Sequence, residues 1–534
     1  MSDTVVPGAA PADARGDAAS NGGASHVRPP LTGLPLVLMT LGVGGATFME
    51  VLDITIANVA VPTIAGDLGV ATDQGTWVVS SYSVAAAIAV PLTGWLARRF
   101  GEVRLFITSV ILFTLSSMLC GLATDLHTLV ILRVIQGLVS GPMVPLSQAL
   151  LLSNYSVQRR GMALALWTMI VVVAPICGPI LGGWISENLS WPFMFFINAP
   201  IGVIAVLITW VALRGRETPT ARVPIDYVGL VLLVVGVGSL QFVLDNGKDL
   251  DWFGSPMIVG LTAAAVVAIT FLVAWELTDR HPIVDLSLFS RRNFTVGVVV
   301  LCLGTTGFFS ATIIFPLWLQ TTMGYTPSWA GIATAASGVS ALIVAPIVGR
   351  NLARLNLRVM VSVSFVTLTV VSFWFASFTL DSSIEQLMMP RFLQGVAVSC
   401  FFIPTNSIYL AGLPASRLAA AAGLANFLRT FSAGLATAIS VTLWDHRASY
   451  HHARLAENIT PWSPATQSYL GDLRSLGIEG DAAHAQLERV LNTQAFMLAT
   501  NDLFWLAGVM FMALVGVVWF ARPPFRAGGP GGAR

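Results

Sequence analysis

Charge is what this sequence has least of. Asp, Glu, Lys and Arg together make up 10% of its 534 residues, against about 25% in an average soluble protein. With 55% hydrophobic residues and a mean hydropathy of +0.77, the chain falls in the membrane class. Neither sign of charge is in excess: a net charge of +1 offers no basic surface for nucleic acid. Cysteine is also sparse. Cys120, Cys177, Cys302 and Cys400 lie far apart in apolar runs, without ligand spacing, and read as small buried hydrophobes. No nucleotide-binding loop, metal cluster, nucleophile constellation or soluble catalytic domain is present. No cofactor or metal is therefore expected, and a membrane enzyme or sensor is a remote alternative. The N-terminal stretch "MSDTVVPGAAPADARGDAASNGGASHVRPP" lacks the basic region and short apolar core of a signal peptide. Residues 1–32 read as a disordered cytoplasmic tail.

What the sequence has in abundance is long apolar segments. A span needs about 20 mainly apolar residues at 1.5 Å rise each, and about fourteen segments qualify, from Leu34 to the one beginning near Ala495. The runs are continuous, not alternating, which favours helices over a β-barrel. Basic residues follow the even-numbered segments: Arg98, Arg99 and Arg104; Arg159 and Arg160; Arg214, Arg216 and Arg222; Arg291 and Arg292; Arg350, Arg354 and Arg358; Arg417; Arg522 and Arg526. The opposite short loops carry acids: Asp67, Asp73, Asp125, Asp249 and Asp381. The positive-inside rule then puts both termini in the cytoplasm. One outer connection, residues 447–493, is long. Its piece "AAHAQLERVLNTQ" has helical spacing, and its histidines His451 and His452, like His446 just before it, read as solvated side chains.

The sequence also repeats itself. "RVIQGLVSGPMVPLSQALLL" at 133–152 matches "RFLQGVAVSCFFIPTNSIYL" at 391–410, and "PLTGWLARRFGEVR" at 91–104 matches "PIVGRNLARLNLR" at 346–358. Matching elements in the same order imply two related halves, an architecture of transporters with a midplane site. The halves are residues 33–213 and 291–521. Residues 214–290 hold an inserted pair of spans, and 522–534 a cytoplasmic tail.

These motifs carry a resemblance. "LDITIANVAVPTIAGDL", "GWLARRFGEVR", "LRVIQG" and "PICGPILGGWI" follow one another as in the major facilitator superfamily. The chain is most similar to its fourteen-helix drug:proton antiporter branch and to EmrB-type multidrug pumps, over about residues 33–521. The resemblance implies an all-α membrane protein: two six-helix bundles plus an inserted helix pair, 14 transmembrane helices in all. It implies proton-driven export of hydrophobic or amphipathic compounds across the bacterial inner membrane, with a periplasmic adaptor and an outer-membrane channel as partners. It assigns Gly94, Arg99, Gly101 and Arg104 to the gating motif and Pro175, Gly178, Pro179, Gly182 and Gly183 to the antiporter motif. The gating motif departs from the family pattern, since Arg98 stands where an acid is usual. A proton-coupled uptake symporter of the same superfamily is the alternative reading.

Polar residues inside the apolar segments mark the candidate site, because ionisable groups at bilayer depth are costly and usually functional. Asp53 lies about 15 Å from the outer end of the first span, and Arg133 about 10 Å from the outer end of the fourth. The family fold makes those helices neighbours, so the two residues can pair. Glu50 lies one turn from Asp53 on the same helical face. Proton coupling is expected at Asp53, Glu50 and Arg133; a purely structural ion pair is the other reading. Gln136, Phe308, Phe309, Phe315, Trp318, Arg391, Asn406, Asn426 and Arg429 are the candidate lining of a substrate cavity. Asp502 is a possible partner for Arg429.

Overall fold

A computed structural model describes residues 29–525 apart from 71, 222, 223, 249, 280, 281 and 353. Residues 1–28 of the expected N-terminal tail, 526–534 of the C-terminal one, and Arg222, Asp249 and Arg526 lie outside the described residues. Helix α1 (Leu34–Asp67) is followed by a short α2 (Thr72–Gly75), then α3 (Trp77–Ala89) and α4 (Thr93–Phe100). The last two are apolar enough together to cross a membrane and meet at a bend of 61°. Pro91, in the break between them, has no N–H to donate, which interrupts the helical ladder there. Next come α5 (Glu102–Cys120), α6 (Leu126–Ser140), α7 (Met143–Asn154), α8 (Arg160–Asn188), α9 (Phe193–Phe196) and α10 (Asn198–Leu213). The inserted pair is α11 (Tyr227–Asn246) and α12 (Pro256–Thr278). The second half contains α13 (Arg292–Thr321), α14 (Pro327–Asn351), α15 (Leu357–Phe375), α16 (Ile384–Tyr409), α17 (Ala415–Ala456), α18 (Pro464–Ser475) and α19 (Asp481–Val517).

Among the described residues twelve helical segments are long and apolar enough to cross a membrane, or thirteen when the bent pair counts as one span. Helix α8, 29 residues long, stands where the fifth span was expected. Polar side chains start several of these helices. Asp125 caps α6 by accepting from the Thr128 amide at 2.9 Å, and Ser383 and Gln386 form a reciprocal capping box on α16. The amide and hydroxyl of Thr128 hold the exposed Asp125 carboxyl below its usual range.

The chain ends define two sides of the bundle. Arg216 donates to Asn154 Oδ1 at 2.8 Å and to the Pro29 carbonyl at 2.6 Å, and Arg292 to the Phe520 carbonyl at 2.6 Å. The start of α1 and the end of α19 thus lie on one side, called here the termini side. The connections near residues 70, 122, 190, 250, 324 and 380 lie on the far side.

Within the first half, α1 packs against α8 and α10. Helix α8 runs without a break through Pro175 and turns Gly178 toward Thr55 and Gly182 toward Ile56 of α1. A side-chain carbon on Gly178 would come within 2.5 Å of the Thr55 Cβ, so Gly178 serves close helix approach, while one on Gly182 would sit at an ordinary 3.4 Å from the Ile56 carbonyl oxygen. Gly183 has open space around it, and Pro175 is half-buried. Helices α11 and α12 pack on each other and sit outside the halves. Helix α11 meets α3 through Trp77 and Phe242, with ring centroids 5.3 Å apart, and Trp252, in the connection from α11 to α12, donates from Nε1 to Thr442 of α17 at 3.1 Å.

On the far side the piece "AAHAQLERVLNTQ" is helical, as its spacing suggests, and opens α19. Residues 447–493 are mostly helix and not a loop. Helix α17 runs 42 residues, about 63 Å at 1.5 Å per residue, so it continues well beyond a hydrocarbon core of about 30 Å. Helix α19 begins at Asp481, about a dozen residues before its apolar run. The two extensions are tied together: Asp502 accepts from Arg447 at 2.6 Å and pairs with His451 at 2.7 Å, while His452 meets Glu488 at 2.9 Å. Both histidines thus hydrogen-bond to carboxylates of α19 and are not simply solvated.

Candidate functional site

Asp53 sits in the middle of α1, 2% exposed. Three donors from two other helices converge on it. Arg133 Nη1 of α6 lies 2.6 Å from Oδ2, Gln136 Nε2 lies 3.2 Å from Oδ1, and Asn198 Nδ2, at the first position of α10, lies 2.7 Å from Oδ1. Charge-assisted bonds of this kind are the strong ones. Arg133 is wholly buried. Its Nε donates to the Val78 carbonyl at 2.9 Å, its Nη1 also reaches Gln136 Oε1 at 2.8 Å, and its guanidinium lies 4.3 Å from the centre of the Tyr82 ring. The pair is thus held by α1, α3, α6 and α10 together. A buried pair of this kind adds little net stability, because desolvation offsets its attraction, yet breaking it leaves a bare charge.

Glu50 is buried one turn away on α1, and its Oε2 has no hydrogen-bond partner among the described residues. Arg133 Nη2 and Asn198 Oδ1 are likewise unsatisfied. A buried cluster with open valences of this kind can accept a proton, a water or a rearranged partner without first breaking every bond it has.

The second half is built differently. Arg391 occupies the place of Arg133 in the repeat, and it too is buried. It donates to Gln394 and to the Ala311 carbonyl, and its guanidinium lies 3.9 Å from the centre of the Phe315 ring. Among the described residues no carboxylate comes within 4.0 Å of it. Phe315 and Trp318, expected in the cavity lining, are fully buried in a core with Phe375, Leu387 and Phe504. Phe315 packs on the Arg391 guanidinium, and Trp318 lies beside Phe315. Phe308 and Phe309 are only partly buried and stack edge to face at 5.6 Å. Asn406 is buried, with its Nδ2 unpartnered among the described residues.

Arg429 does not meet Asp502. It lies 18 residues before Arg447 on the same helix, about 27 Å away, and Asp502 is bound at the level of Arg447. The Nε of Arg429 reaches Asn426 Oδ1 at 3.3 Å, and no carboxylate lies within ion-pair distance among the described residues.

The two halves meet near the termini side. Asn426 Nδ2 of α17 donates to Gln148 Oε1 of α7 at 2.9 Å, and Gln148 Nε2 donates to the Tyr409 hydroxyl of α16 at 3.0 Å. A side-chain carbon on Gly94 of α4 would come within 2.7 Å of Ala420 Cβ on α17, and one on Gly349 of α14 within 2.7 Å of the Gly161 carbonyl on α8. Glycine at these points lets the halves touch backbone to backbone. Arg99 and Arg104 lie just beyond, both exposed.

Sequence reasoning paired Asp53 with Arg133 but missed Asn198, although an Asn inside "FFINAPIG" is itself a polar residue in an apolar run. It also missed Gln148, Tyr409 and Glu217, the last of which binds the gating motif from the connection after α10. Among the described residues no group of three His, Cys, Asp or Glu side chains is placed to hold a metal.

Comparisons with known proteins agree with this architecture. Residues 43–437 match the Major Facilitator Superfamily. The chain is 51% identical to the multidrug export protein EmrB of Escherichia coli K12 over 505 residues, covering 94% of this chain and 98% of that one. It is 47% identical to the fatty acid resistance protein FarB of Neisseria gonorrhoeae, covering 94% and 99%. Its fold is similar to that of the proton:xylose symporter XylE, with a TM-score of 0.57 at 14% identity over 91% of this chain and 95% of that one. The chain is a transporter that belongs to the major facilitator superfamily, among its EmrB-type multidrug export proteins.

Proposed function

We propose that the protein exports hydrophobic or amphipathic compounds in exchange for protons, by alternating access, across a bacterial inner membrane. The observation that carries this reading is the buried Asp53 carboxylate held by Arg133, Gln136 and Asn198. A proton taken up by Asp53 cancels the charge that fixes Arg133 and frees its guanidinium to move. Glu50, one turn away with an open oxygen, passes or shares that proton. The rearrangement biases the bundle between two packings, and the coupling is only as large as the difference in proton affinity between them.

The basic residues on the termini side favour a cytoplasmic location for both termini. In that orientation the links Gln148–Tyr409 and Gly94–Ala420 close the cytoplasmic side, which is the arrangement for releasing substrate outward. Substrate contacts are assigned to the half-exposed Phe308 and Phe309, whose rings accept varied apolar shapes, and to Arg429, whose cation is free for an acidic head group. Fatty acid resistance in a 47% identical relative supports amphipathic substrates of that kind. The hairpin of α17, α18 and α19 is assigned to docking a periplasmic adaptor that leads to an outer-membrane channel.

The test is expression in an efflux-deficient strain grown on a panel of toxic compounds, with proton flux followed in everted vesicles. Resistance accompanied by substrate-induced proton release is expected. Sensitisation, with substrate and protons moving in the same direction, would assign uptake by symport.

A further inference from the structure

By its resemblance the gating motif would carry an acid at position 98, and a carboxylate from another segment, Glu217, lies against the same corner. Position 98 lies in the last turn of α4 and carries Arg98, where a cation suits the helix C-terminus and an acid would not. The turn at Gly101, with φ of 91°, then starts α5. The amides at that start are satisfied from the connection after α10. Glu217 accepts from the Val103 amide through Oε1 at 3.1 Å and from the Arg104 amide through Oε2 at 2.8 Å, while Thr218 Oγ1 accepts from the Glu102 amide at 3.0 Å. Both carboxylate oxygens are used, and the negative charge meets the positive end of α5. The Glu217 side chain fills the space a Cβ on Gly101 would need, so this glycine is required for the approach as well as for its backbone angle. Two further bonds fasten the same segment to the corner: the Ala221 amide donates to the Arg98 carbonyl at 2.9 Å, and Trp95 Nε1 donates to the Pro224 carbonyl at 3.2 Å. Arg216 ties the segment to the end of α7 at Asn154.

The clamped corner bears directly on the other half. Helix α4 presents Gly94 to Ala420, and Thr93 faces Gly423 of α17, 3.3 Å from where its Cβ would be. We infer that Glu217 is the acid of the gating motif in this chain: it positions the α4–α5 corner against α17 and so holds the termini side closed. It is a positioning residue, and it touches neither substrate nor the Asp53 cluster. This inference rests on alternating access but not on protons or on any particular substrate.

The experiment uses the full chain in nanodiscs, with Ala421→Cys as reporter. Ala421 is fully buried beside the α4 contact. Its labelling by a water-soluble maleimide reads opening of the termini side, after subtraction of the parent's four cysteines. Glu217→Ala is expected to raise the labelling rate at least fivefold, and Glu217→Asp, which keeps a carboxylate, to bring it back within twofold. Glu217→Gln, which keeps the shape without the charge, is expected to fall between them and carries the test if the alanine variant does not fold. Labelling of Glu217→Ala and Glu217→Gln at the parent rate would overturn the inference. So would equal acceleration in the alanine and aspartate variants together with an equal loss of Tm, which would mean a general loosening and no role for the charge.

Discussion

Gln148 of the first half and Tyr409 of the second share a buried hydrogen bond of 3.0 Å, and Asn426 joins it at 2.9 Å. In a bundle whose halves are otherwise joined near the termini side by small residues, this polar link is the directional one. Tyr409→Phe removes its hydroxyl. A buried hydrogen bond contributes about 1 kcal/mol, so the balance between closed and open termini sides is expected to shift about fivefold toward open. Spin labels at the exposed Gln158 and Leu355 read this as a larger share of long distances. An unchanged distance distribution would mean the link does not bear on the equilibrium.

Gly94 faces Ala420 where a Cβ would come within 2.7 Å. Gly94→Val is therefore expected to block closure of the termini side. Turnover should fall at least tenfold while substrate binding by the purified protein changes less than threefold. Matching losses of binding and turnover would point to misfolding instead of gating.

Much of this arrangement can be read from the residues. The depth of Asp53 on an outward-running helix and of Arg133 on an inward-running one puts them at one level, because a helix advances a fixed 1.5 Å per residue. The repeat places Arg391 opposite Arg133 for the same reason. Asn198 stands out as a polar residue in an apolar run, but its contact with Asp53 is not legible, since that depends on the turn at α9, which redirects the chain just before it. Glu217 was hidden because a connecting segment has no period from which to infer where its side chains go. The extension of α17 was missed because "DHRASYHHAR" is too polar for a span and was read as a loop. Its charges are spent on α19, through Asp502 and Glu488, so a helix continues there without a membrane around it. The burial of Phe315 and Trp318 is not legible in the composition of their segment, because burial is set by rotation about the helix axis, and Phe315 on α13 faces Arg391.

Arg429, like Arg391, has no carboxylate partner among the described residues, and its Nε is held only by Asn426. Arg429→Gln is expected to cost resistance to acidic amphipaths at least fourfold while resistance to neutral hydrophobic compounds changes less than twofold. Growth inhibition with matched acid and ester pairs checks this. Equal losses for both members of a pair would assign Arg429 to structure.

The far-side hairpin makes a prediction that separates cells from vesicles. Shortening residues 455–485 leaves the transmembrane parts of α17 and α19 in place. Resistance of whole cells should fall, while transport in everted vesicles should continue at the parent rate. Co-purification of both forms with the same yield of adaptor would exclude docking at this hairpin.

The central claim is that Asp53 carries the coupling proton, and substrate-driven proton flux in everted vesicles tests it most directly. Asparagine in place of Asp53 keeps an acceptor for Asn198 and Gln136 but can neither bind nor release a proton. Asp53→Asn protein that inserts and purifies as the parent does is expected to bind substrate yet show no substrate-induced proton release and no response of transport to an imposed pH gradient. Proton release and gradient-driven accumulation at the parent rate in that variant would contradict the account.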